Sequence, residues 1–276
     1  MTKLRCAWWM IDILGGQMDY FKGKVVWITG ASSGIGRYLS LELARRGATC
    51  AITSRTRETL EQVVADAASL SGKLIAFPGD VRNLEELKQI ESAIRSSFGR
   101  IDILIANAGT YIASNPLRFD STEYMTQMDL NYGGLLKCIE VVLPDMLQRR
   151  AGQIVGMASL TGYRGLPRAA AYGASKAAII NFLESARFYL KRAGLSVTII
   201  NPGFVRTPLT DKNDFEMPFL TEPEDAARII CDGIARRKRE VAFPFFFALF
   251  AKFMRVIPAP LYEFIWVRAW ARMNYR

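Results

Sequence analysis

Tyr172 and Lys176 stand four residues apart in "AYGASKAA", a run of small residues in a chain of 276 that contains no histidine. A phenol of pKa about 10 and an ammonium of pKa about 10.4 are poor proton-transfer groups near neutrality until something shifts them. Residues four apart on a helix share a face, so this spacing sets the two side chains together. An ammonium within several ångströms favours tyrosinate and lowers the phenol's pKa, which turns tyrosine into a general acid and base. The spacing alone is common, and its usual meaning is a buried tyrosine beside a surface lysine. The absence of histidine removes Ser-His-Asp, Cys-His and histidine-ligated metal chemistry. The four cysteines, Cys6, Cys50, Cys138 and Cys231, form no C-x-x-C pair, so buried free thiols are expected, with no metal site and no redox dithiol.

The elements that must hold these groups are legible as alternating patterns. Short apolar runs fall at 25–29, 49–53, 73–77, 101–106, 152–157 and 195–200, with a seventh, "EVAF", at 240–243. Continuous apolar strands separated by helical periodicity predict an α/β fold, a doubly wound parallel sheet of about seven strands in one domain. Gly47 and Gly194 close helical segments just before strands. The domain is predicted over 21–243, with an N-terminal extension at 1–20 and a C-terminal one at 244–276. The start, "CAWWMIDILGG", is too short in its apolar run, and interrupted by Asp12, to be a convincing signal peptide.

The first strand runs into "TGASSGIGR", with Gly30, Gly34 and Gly36 ahead of a helix. Such a turn offers backbone N–H groups and a helix N-terminus to an anion, as dinucleotide folds do for a pyrophosphate. The second strand ends in "ITSRT", so Ser54 and Arg55 stand where an acid would read the ribose hydroxyl of NAD. With Arg37 nearby, a positive site selecting NADP(H) over NAD(H) is predicted.

Together these segments resemble the short-chain dehydrogenase/reductase family. The matching pieces are "TGASSGIG" at 29–36, "GDV" at 79–81, "NAG" at 107–109, Asn131 in "DLNYGG", Ser159 after "IVGMA", "YGASK" at 172–176 and "NPGFVRT" at 201–207. The resemblance implies that Tyr172 protonates a carbonyl oxygen as hydride arrives from the nicotinamide. Ser159 would hold that oxygen, Lys176 would lower the tyrosine's pKa and bind the nicotinamide ribose, and Asn131 would keep a relay water. It further implies cofactor contacts at Gly30, Ser32, Ser33, Gly34, Ile35 and Gly36, at Asp80 and Val81 beside adenine, and along Asn107, Ala108 and Gly109. Pro202, Gly203, Val205 and Thr207 would meet the nicotinamide and its phosphates. Asn107 and Asn131 also admit a purely architectural reading, and Asp80 a helix-cap one. Ala158 departs from the pattern, since a second serine is common there, but no catalytic group is lost.

The expected activity is NADP(H)-dependent interconversion of a ketone and a secondary alcohol, with reduction of a lipophilic carbonyl favoured. The alternatives are an NAD(H)-linked alcohol dehydrogenase and a catalytically silent NADP(H) sensor. Phe215, Met217, Phe219 and Leu220 are candidates for an apolar lid, and Thr221 for the cap of a helix starting at Pro223 and Glu224. Of the net charge of +10, the segment 236–276 carries +7, from nine basic and two acidic residues. No nucleic-acid reading module accompanies it. Its aromatics, with Lys252, Arg255, Arg268, Arg272 and Arg276, suit an interfacial helix on an anionic membrane. Packing over the cleft or against a partner subunit accounts for the tail equally well. The expected setting is cytoplasmic, at or near a membrane surface, in a homodimer or homotetramer.

Overall fold

The computed structural model describes residues 20–211 and 217–272, and side chains as far as 268. The expectations for Cys6, Phe215 and Arg276, for the Arg272 side chain, and for the extension before Tyr20, lie outside what is described. Strands β1 (Val25–Thr29), β2 (Thr49–Thr53), β3 (Lys73–Ala76), β4 (Ile103–Ala106), β5 (Gly152–Met157), β6 (Leu195–Pro202) and β7 (Glu240–Phe243) form one sheet in the order β3-β2-β1-β4-β5-β6-β7. Every neighbouring pair is parallel, with Trp27 level with Ala51 on one side and Leu104 on the other. The predicted strands agree to within a few residues. The fourth starts late, at Ile103, because the Asp102 carboxylate accepts from the Val25 N–H at 2.9 Å and so leaves the apolar pattern.

Side chains alternate across a strand, so β1 serves two cores at once. Val26 and Ile28 face a layer with Leu39, Leu43, Ile52, Ile230 and Ile234. That layer lies under helices α1 (Gly34–Arg45) and α2 (Arg57–Asp66), and under α7 (Pro223–Ala235). Val25 and Trp27 face the other, with Leu87, Ile94, Leu104, Ile139 and Leu183. Helices α3 (Leu84–Phe98), α5 (Gly134–Arg149) and α6 (Ala170–Arg192) cover it, and a short α4 (Ser121–Met128) leads into α5 through one wide π turn at Asp129–Gly133. Trp27 is fully buried, and its indole donates to Thr53 Oγ1 at 2.9 Å.

Two departures concern helix starts. The cap of α7 is Glu222, whose side chain pairs with Arg206, whereas Thr221 bridges to Val205. The cap of α3 is Asn83, which accepts from the N–H groups of Glu85 and Glu86, so Asp80 does not cap it. After β7 the tail forms α8 (Phe245–Val256) and α9 (Ala259–Arg272). The order in which strands are added across the sheet reverses between β1 and β4, whose connections leave to opposite sides. Ligands of doubly wound sheets lie in the crevice at the carboxyl ends of such a pair.

Candidate active site

At the end of β1, Gly30 takes φ +67°, and a Cβ there would lie 2.7 Å from Ala108 Cα. A Cβ on Gly36 would lie 2.2 Å from the Gly30 carbonyl oxygen. Both positions therefore exclude any side chain. Ser33 caps α1 in extended conformation without a side-chain hydrogen bond, so the first N–H groups of the helix keep their capacity to bind an anion. Asn107 pins this turn to β4: its amide donates to the carbonyls of Thr29 at 2.9 Å and Gly30 at 3.1 Å. Thr29 Oγ1 in return accepts from the N–H groups of Asn107 and Ala108. Asn107 thus takes the architectural role while its loop lines the cleft.

Beyond the turn, at the end of β2, Ser54 Oγ is buried with no hydrogen-bond partner and Arg55 is exposed. Arg37 corrects the charge expected here, because its guanidinium donates to Asp66 at 2.6 Å and stacks toward Tyr38. Among the described cleft-lining residues, Arg55 supplies the arginine at that end. Asp80 is held by Arg82 in a fork of hydrogen bonds, which keeps its carboxyl below the usual range.

At the other end of the cleft, Ser159 follows β5 and accepts from the Thr161 N–H at 3.2 Å and the Thr161 hydroxyl at 2.9 Å. The Tyr172 phenol shares a hydrogen bond with Ser159, and burial pushes it up to about 12. Lys176 is almost fully buried, donates to the Met157 carbonyl at 2.8 Å, and is brought down to about 8 by that burial. Its Nζ lies 5.5 Å from the centre of the Tyr172 ring. Loss of hydration thus outweighs, in this cleft, the lowering expected of the neighbouring lysine.

Asn131 lies in the π turn and does not line the cleft. Its Oδ1 accepts from the Thr110 N–H at 2.7 Å, and its amide donates to the Thr110 carbonyl and to Ser175 Oγ. Both amide hydrogens are thereby engaged. A Cβ on Gly109 would meet Asn131 Oδ1 at 3.1 Å and Lys176 Nζ at 3.4 Å, so the two groups flank the same backbone.

A cavity of about 410 Å³ joins these ends. Ser159, Tyr172, Lys176 and all the cofactor contacts expected from Gly30 to Thr207 line it, and Asn131 does not. The unpartnered Ser54 hydroxyl, the uncapped start of α1 and the glycine cradle fit an elongated, phosphate-bearing dinucleotide. Sequence reasoning missed Gly79, Leu130, Met157, Pro208, Leu209 and Thr210 in the wall. Met157 acts through its carbonyl, which no side-chain motif reports. It also missed the polar cluster behind Ser159, where Tyr163 and Asn201 both donate to Glu240, which is bound by Lys252.

A dinucleotide crevice at the sheet's switch point, closed by serine, tyrosine and lysine, defines a nicotinamide-dependent oxidoreductase of the doubly wound class. Residues 24–217 match the family model described as short chain dehydrogenase, and the chain belongs to that family, whose members act on CH–OH groups with NAD(P). It is 39% identical over 248 residues to an uncharacterized oxidoreductase of Myxococcus xanthus, covering 90% of this chain and 96% of that protein. It is 32% identical to the ketoacyl reductase HetN of Nostoc sp., covering 81% and 79%. It is likewise 32% identical to the 3-oxoacyl-acyl-carrier-protein reductase FabG of Thermotoga maritima, covering 69% and 78%. The crystal structure of levodione reductase shares the fold with a TM-score of 0.76, at 24% identity over 83% of this chain and 99% of that one.

Proposed function

We propose that this enzyme reduces a lipophilic ketone to a secondary alcohol with NADPH. The observation that carries this reading is the meeting of Ser159, Tyr172 and Lys176 in the wall of one cavity, where a phenol protonated at neutral pH can give a proton to a carbonyl oxygen. Bound NADPH supplies the hydride. Ser159 positions the carbonyl oxygen, Tyr172 gives it a proton, and Lys176, still largely cationic at pH 7, stabilises the phenolate left behind. Asn131 holds Thr110 and Ser175 in place behind Lys176.

What supports NADP(H) is that Ser54 and Arg55 occupy the end of β2, where an acid would take the ribose hydroxyls of NAD. What supports a lipophilic substrate is the aromatic wall beyond Gly203, where Phe204, Phe247 and Phe219 stack with centroids 5.7 and 6.1 Å apart. The names of two relatives as ketoacyl and 3-oxoacyl reductases agree with a chain-bearing ketone. A homodimer or homotetramer in the cytoplasm is part of the same proposal, and the exposed Phe188 and Tyr189 near the end of α6 offer a second copy an apolar surface.

The test is titration with NADPH and with NADH, followed by NADPH oxidation over ketones graded by chain length. Tighter NADPH binding with turnover rising along the series is expected. Equal affinity for the two cofactors would remove the NADP reading, and tight binding without turnover on any ketone would favour a sensor.

A further inference from the structure

Helix α8 is apolar on both of its faces. Phe247, Ala248, Ala251 and Met254 pack inward, while Phe246, Leu249, Phe250, Phe253 and Val256 point outward at 53–74% exposure. With Phe245, the four outward phenylalanine rings of α8 leave roughly 500 Å² uncovered before Leu249 and Val256 are added. Soluble chains rarely expose contiguous apolar patches above a few hundred Å² unless something binds there. Helix α9 extends the patch with Leu261, Phe264 and Val267.

The charges around it identify the occupant. Of the two acids in 236–276, Glu240 is already engaged by Lys252 and Tyr163 and Glu263 is exposed on α9, while Arg255 and Arg268 are exposed as well, Arg268 at 4.3 Å from the Phe264 centroid. A second copy seated face to face would set one +7 segment against another, whereas an anionic lipid surface satisfies rings and charges together. Among the described residues no helix is long and apolar enough to cross a membrane, so the helices would lie on it.

The same helix is tied to the catalytic end of the cleft. Arg164, five residues after Ser159, donates to the carbonyls of Met254 at 2.7 Å and Arg255 at 3.3 Å, closing the C-terminus of α8. Its guanidinium lies 3.9 Å from the Tyr262 centroid, and the Tyr262 hydroxyl donates to the Gly165 carbonyl. On the inner side, Phe247 stacks on Phe204 beside the cleft wall. We propose that the outer face of α8, continued by α9, docks on an anionic bilayer surface and so holds the cleft's substrate end at the lipid. This goes beyond the carbonyl-reductase reading and rests on it only for which end of the cleft takes the substrate.

The experiment is co-sedimentation of the full chain with vesicles of equimolar phosphatidylglycerol and phosphatidylcholine, or of phosphatidylcholine alone, at low and high salt. Binding at least about tenfold stronger to the anionic vesicles, and weakened by salt, is expected. Phe250→Ser combined with Phe253→Ser should reduce it at least about tenfold with NADPH affinity in solution unchanged. Should that variant misfold, Arg268→Glu provides the second reading and must also weaken binding. Protein left in the supernatant with anionic vesicles at low salt would overturn the proposal. So would a dimer by sedimentation equilibrium that the same substitutions split without any vesicle binding. NADPH titration and turnover are read without vesicles, so failure of the reductase reading is distinguishable.

Discussion

The Lys176 ammonium donates to the Met157 carbonyl at 2.8 Å while standing 5.5 Å from the centre of the Tyr172 ring. Burial brings the lysine down to about 8 and the tyrosine up to about 12. Below about 8 the lysine is charged and the phenol protonated, as reduction requires. Above it the cation is lost first. The kcat/KM for NADPH-dependent ketone reduction should therefore be level below about pH 8 and fall up to tenfold per unit above it. Lys176→Arg should move that limb upward even where the rate is lower, since guanidinium keeps its proton. A limb that stays in place would assign the titration to another group.

Tyr172→Phe removes the hydroxyl that, in the proposed reduction, hands a proton to the carbonyl oxygen. Turnover should drop by about a hundredfold to ten-thousandfold with NADPH affinity within a few fold of the parent, by fluorescence titration. Equal loss of both would mean that Tyr172 mainly holds the cofactor.

Arg55 and Arg37 should separate cleanly. Arg55→Asp should weaken NADPH by about ten- to a hundredfold and NADH far less, through loss of a charge-assisted hydrogen bond. Arg37→Ala should leave NADPH within about threefold, because that guanidinium is committed to Asp66. A larger effect at Arg37 would place the 2′-phosphate on the α1 side of the site.

Asn131→Ala should cost about 2 to 4 kcal/mol, since the Thr110 N–H and carbonyl lose their partners inside the protein. Differential scanning calorimetry should show a Tm lower by roughly 5 to 10 °C. Activity lost without any loss of Tm would make Asn131 a relay group first and a clamp second.

Arg164→Ala should loosen the tail from the catalytic loop. Limited proteolysis should then cut within 245–272 at least about tenfold faster, with the sheet domain left intact. Unchanged cleavage would mean that the inward apolar stripe of α8 suffices to hold it.

Much of this protein was legible from local pattern. Strand runs, the glycine turn and the four-residue step from Tyr172 to Lys176 are short-range signals, because a strand covered on both faces must be continuously apolar and a turn against Ala108 admits no Cβ. The family's ordered motifs then indicated which strand ends meet. What lay beyond reach depends on contacts between residues far apart in the chain. Whether Arg37 faces the cofactor or Asp66 is settled by the packing of α1 against α2. Whether a lysine lowers a phenol's pKa depends on how far burial opposes it, and here burial raises the phenol. That Arg164 joins the catalytic loop to α8 and α9 follows from a fold that returns the tail to the sheet's last edge, where it can cap a helix 90 residues away in sequence. Side-chain type and spacing determine which chemistry is available, and the tertiary structure decides which groups remain free to perform it, since burial and competing partners act through space.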